Sequence, residues 1–210
     1  MSPASLSTTL TDIGIGIEAF LFFALLIKSN QIAVKCWAIA FGCTAIAALI
    51  GGFYHGFAGS FSQPVGSFCQ ATIAYFVSAA SSMMLLGVVK SSASPARQLW
   101  LMGAIGLKFG VFASLYRAYP EDFSYVVADY LSAMGIVLVL SIKKYRAYQT
   151  AIAIWLSGGI AISIIAASLL AWRWWPTSAT NPETIYHVVQ MLALYFFFRG
   201  SRLLIDAKAV

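Results

Sequence analysis

Residues 32–57 read IAVKCWAIAFGCTAIAALIGGFYHGF. Lys35 stands near the start of this stretch and His55 near its end, and between them no side chain carries a charge at neutral pH. At 1.5 Å of rise per residue, 26 helical residues extend about 39 Å, enough to cross a hydrocarbon core of about 30 Å. A surface helix of a soluble protein would show a polar face, and this one has none. The stretch therefore predicts a transmembrane helix that carries a lysine at one end and a histidine at the other.

Six further apolar segments resemble it: roughly 7–27, 66–89, 98–118, 122–142, 148–173 and 182–204. Turn and breaker signals separate them: Ser29-Asn30, Gln63-Pro64, Ser94-Pro95, Tyr119-Pro120, Lys143-Lys144 and Asn181-Pro182. No gap is long enough for a separate soluble domain. The expected fold is all-α, one domain over residues 1–210, with seven transmembrane helices in the cell membrane. Composition agrees, since 60% of the 210 residues are hydrophobic and 10% are charged, against about 25% charged in soluble domains. The first segment lacks a basic leader and is too long for a signal core, so it is expected to be a retained helix.

Lys28, Lys35, Lys90, Arg97, Lys143, Lys144, Arg146, Arg199, Arg202 and Lys208 fall on one side of such a bundle, and only Arg117 and Arg173 on the other. Cytoplasmic loops carry the excess of Lys and Arg, so the N-terminus is expected outside and the C-terminus inside. Trp172, Trp174 and Trp175 would then join an outer aromatic belt. The formal charge of +6 does not indicate nucleic acid, because the basic residues form no continuous stripe. Cys36, Cys43 and Cys69 read as small packing residues. Gly14, Gly16, Gly51, Gly52, Gly103, Gly106, Gly158 and Gly159 would let helices approach closely.

Charged groups inside a membrane cost roughly 2.5–3.5 kcal/mol on insertion scales and usually face the bundle interior. Here they gather in the half near the predicted outer face: Asp12 on helix 1, His55 ending helix 2, Gln70 opening helix 3, and Asp129 on helix 5, with Asp122 a heptad earlier. Helix 7 opens Asn181-Pro182-Glu183, the order of an N-cap, a first-turn proline and a first-turn acid. Glu183, His187 and Gln190 then share one helix face. The only two histidines of the chain, His55 and His187, lie at one depth. Two imidazoles and the Glu183 carboxylate could form an open zinc site, with water as the fourth ligand. Asp12 or Asp129 would orient that water. The same residues could instead be a capping acid and two histidines bonded within the bundle. Glu18 and Lys108 lie nearer the midplane and are expected to pair with each other, or to line an ion path with Gln70 and Gln190.

The motifs Gly-Gly-Phe-Tyr-His at 51–55 and Glu-Thr-Ile-Tyr-His at 183–187 resemble the superfamily of alkaline ceramidases and progestin and adiponectin receptors. The resemblance implies a seven-helix membrane fold, a zinc ion as cofactor and lipid amide hydrolysis. It makes His55 the helix 2 ligand and His187 the second histidine of helix 7, with Glu183 in place of the first. Gly51 stands where the family has a serine, and Gln70 is the nearest substitute for the family's acid on helix 3. The expected partners are membrane lipid and a lipid or small-molecule substrate. A transporter, channel or receptor binding an ion or small ligand at the same polar cluster is the alternative, and a haem between His55 and His187 a third.

Overall fold

A computed structural model describes residues 3–120, 122–147, 150–171 and 181–207. They form seven α-helices: α1 (Pro3–Leu26), α2 (Ile32–Phe57), α3 (Gln63–Ser92), α4 (Pro95–Ala118), α5 (Ser124–Ala147), α6 (Thr150–Ala171) and α7 (Pro182–Ser201). Six of them, α1 to α6, are long and apolar enough to cross a membrane. The polar first turns of α7 leave it below that mark.

Local chemistry sets several helix ends. Gln63-Pro64 and Ser94-Pro95 do not interrupt the chain as breakers but open helices, with Ser62 and Ser94 at the N-cap. Proline suits a first helical turn, where its missing N–H has no partner to lose. The expected cap of α7 is present, with the Asn181 side chain accepting from the backbone N–H of Glu183. Asp122 departs from expectation. It lies before α5 and accepts from the Ser124 N–H, and so occupies no helix face. Lys143-Lys144 lies inside α5. Trp172, Arg173, Trp174 and Trp175 fall outside the described residues.

Packing runs α1 on α2, α2 on α3, α3 on α5, α5 on α6, α6 on α7 and α7 back on α1. These six helices close a ring. Helix α4 stays outside it, set against α3 and α5. This explains a difference among the glycines. A side chain added at Gly16, Gly158 or Gly159 would run into a neighbouring helix, whereas one at Gly103 or Gly106 would meet nothing. Gly103 and Gly106 of α4 therefore do not serve helix packing within this chain. Cys36, Cys43 and Cys69 are free thiols.

The core lies toward the end where α2 begins. Trp37 and Phe197 are almost fully buried and pack against each other, and Phe22 stacks on Phe198 at 4.3 Å. The chain after α7 then folds back. Both Asp206 carboxylate oxygens accept from the first N–H groups of α2, at Ile32 and Ala33, each at 2.7 Å. The Ala207 N–H donates to the Lys90 carbonyl of α3. An acid there offsets the partial positive charge of a helix N-terminus.

Candidate functional site

Helix α1 carries Thr8, Thr11 and Asp12 at positions i, i+3 and i+4, one face turned toward α7 and the end of α2. Asn181 donates to the Thr8 hydroxyl at 2.6 Å, and Thr8 in turn donates to Glu183 at 3.3 Å. These bonds seat the start of α7 against the start of α1. Thr11 Oγ1 lies 3.0 Å from His187 Nδ1. The same hydroxyl is within bonding range of the Ser7 and Thr8 carbonyls. Thr11 thus holds the Nδ1 side of the His187 ring, and Nε2 is turned toward Asp12.

That Nε2 lies 3.4 Å from Asp12 Oδ1, and His55 Nε2 lies 3.9 Å from Asp12 Oδ2. One buried carboxylate thus stands between the two imidazoles. Asp12 Oδ2 is fully enclosed, and no donor among the described residues reaches it. Glycine at 51 and 52 makes this possible, since a Cβ at Gly52 would come within 3.2 Å of the Asp12 Cβ. Gly51 faces the carboxylate itself.

The polar cluster caps a cavity of about 710 Å³ whose walls are mostly apolar. Asp12, His55, Gln70, Glu183, His187 and Gln190 all line it. Gln70 also donates to the Tyr54 hydroxyl at 3.0 Å. The deepest lining residues, Thr44 on α2 and Leu194 on α7, each lie 11 residues from the polar residue at the mouth, His55 or Glu183. That places the floor about 16 Å below the mouth.

Two expected placements are overturned. Lys108 does not pair with Glu18. Its ammonium contacts Asp129 Oδ1 at 2.6 Å and donates to Ser81 at 2.9 Å. Helix α4 packs on α3 and α5, not on α1, so Lys108 reaches the acid its own neighbours present. Asp129 consequently does not serve the imidazoles, because its second oxygen accepts from Ser81 at 2.7 Å. Glu18 lies partway along α1 with Oε2 buried and no donor within reach among the described residues. Sequence reading treated Asp12 as an accessory and missed Thr8 and Thr11. Their spacing with Asp12 on one face was the available signal.

The donor chemistry suits zinc: two imidazoles, one of them held at Nδ1 by Thr11, in one cavity lining with the Asp12 and Glu183 carboxylates. As the side chains stand, no three or more His, Cys, Asp or Glu residues among those described are close enough to hold a metal ion. His55 stands farther from Asp12, at 3.9 Å, than His187 does, at 3.4 Å.

Six helices long and apolar enough to cross a membrane, five of them joined with α7 in a ring around a polar-mouthed cavity, define a multi-pass membrane protein. Residues 7–206 match the model of DUF6962, a family of unknown function, and the chain belongs to that family. No curated protein and no solved structure matches it.

Proposed function

We propose that this chain is a zinc-dependent, hydrolase-like protein of the cell membrane acting on a lipid, with seven spans, its N-terminus outside and its C-terminus inside. The observation that carries the reading is the placement of His55 and His187 on either side of the Asp12 carboxylate, at the mouth of an apolar cavity. Two imidazole nitrogens on either side of one carboxylate are a donor set that suits a divalent cation. The likeness to alkaline ceramidases at residues 51–55 and 183–187 supports the same reading, as does the excess of Lys and Arg at the opposite end.

His55, His187 and a carboxylate of Asp12 or Glu183 would hold the ion. Zinc when bound supplies Lewis acidity and water with a pKa near 7. The chain's own groups do the rest. Thr11 holds the Nδ1 side of the His187 ring, Asp12 Oδ2 is placed to accept a proton, and the Tyr54–Gln70 pair stands beside the mouth. The apolar walls take the lipid chain and keep water away from it.

The test is metal analysis of the full chain purified in detergent, joined to cleavage of a fluorescent lipid amide. About one zinc per chain is expected, lost in His55→Ala and His187→Ala, with cleavage stopped by a chelator and restored by zinc. Wild-type protein without a transition metal would overturn the zinc reading. Fusing a reporter active only in the cytoplasm to the C-terminus tests the orientation.

Glu18 favours a second reading, because an enclosed carboxylate oxygen with no donor among the described residues suits proton or cation binding. Ion flux in proteoliposomes that disappears in Glu18→Gln would select it.

A further inference from the structure

Below the polar mouth the cavity holds a second set of hydrogen-bonding groups. Ser163 on α6 is 5% exposed, lines the cavity, and has an enclosed hydroxyl with no partner among the described residues. Gln190 on α7 is 9% exposed and lines the same cavity. No hydrogen bond joins its amide to another described residue.

These two side chains lie at one depth. A Cβ at Gly159 of α6 would meet the Ala193 carbonyl of α7 at 3.2 Å. The two helices are antiparallel neighbours, so one turn on from Gly159, Ser163 comes level with residues 189 and 190. Gln190 follows His187 by three residues, which puts this tier about 4.5 Å below the imidazoles. Tyr186, one turn above Gln190, and Tyr130 on α5 complete the polar lining there.

Buried polar groups without partners are rare in folded proteins and call for an explanation such as a bound ligand or water. The set is neutral. Serine and glutamine each donate and accept, and a hydroxyl does the same. Neither side chain carries a charge to match a charged group, whereas a hydroxyl is met by both.

We propose that Ser163 and Gln190 form a hydroxyl-recognition subsite. It selects amphiphiles that carry a hydroxyl a few bonds inward from the polar group held at His55 and His187. This rests on the lipid reading above and adds a specificity that a purely apolar cavity would lack.

The test compares two fluorescent dodecanoyl amides, identical except that one has a hydroxyl two carbons from the amide. Binding to the full chain in detergent is measured for wild type, Ser163→Ala and Gln190→Leu. Wild type is expected to favour the hydroxylated probe by about fivefold to tenfold, the effect of one or two buried hydrogen bonds. Each variant should shrink the preference below about twofold while leaving binding of the deoxy probe unchanged. That unchanged binding also shows that the variants fold. A wild type that binds both probes equally, or variants that keep the preference, would overturn the subsite and leave the lipid reading standing. If wild type binds neither probe, the lipid reading falls first and takes the subsite with it.

Discussion

His187 Nε2 faces Asp12 Oδ1 at 3.4 Å, across the seam between α7 and α1. The other imidazole nitrogen is held by Thr11, the residue next to Asp12. Two neighbouring side chains of one helix thus hold a ring of another from both sides. This geometry makes Asp12 the centre of the cluster, and the first prediction concerns it.

Asp12→Asn keeps the shape and removes the charge between the imidazoles. Metal affinity should fall about 10- to 100-fold, the usual effect of losing a carboxylate that ligates or orients. Thr11→Val removes the hydrogen bond that holds His187 Nδ1 and should cost about tenfold. Titration with a competing chelator measures both, and wild-type affinity in Asp12→Asn would show that the carboxylate plays no part.

Lys108 and Asp129 test what fastens α4 to the ring. Lys108→Met strands a carboxylate that is only 4% exposed. The expected loss is about 3–5 kcal/mol, read from thermal unfolding in detergent. Replacing both partners with apolar residues, as in Lys108→Met with Asp129→Leu, should recover most of it, because no unpaired charge remains.

The C-terminal strap makes a separate prediction. Asp206→Ala leaves the first N–H groups of α2 without their acceptor. A loss of about 0.5–2 kcal/mol is expected, as for other helix caps. Limited proteolysis should then cut the strap faster than in wild type. Equal cleavage rates would mean that the Ala207–Lys90 bond holds the segment by itself.

Gly87 reports on the seam between α2 and α3. A Cβ there would lie 2.5 Å from Trp37 and 2.9 Å from the Ala33 carbonyl. Trp37 is 1% exposed and has nowhere to move. Gly87→Ala should lower stability by about 1–3 kcal/mol, whereas Gly106→Ala, which meets nothing, should be neutral or slightly stabilising. Unfolding curves of the two variants provide the comparison.

The sequence by itself determined the helices, six of the seven expected membrane-length spans and the end of the bundle at which the polar groups gather. Each of these follows from local quantities: the length of an apolar run, the chemistry of a cap, and depth counted in residues along one helix. His55, Glu183, His187 and Asp12 were legible as a cluster for that reason, since equal depth needs no knowledge of neighbours. The pairing of Lys108 was not legible. Glu18 and Asp129 were both available acids within the span, and only the exclusion of α4 from the ring decided between them. The central place of Asp12 and the level match of Ser163 with Gln190 have the same origin. Helical periodicity fixes which face a residue occupies, but which helix that face meets depends on packing among all seven.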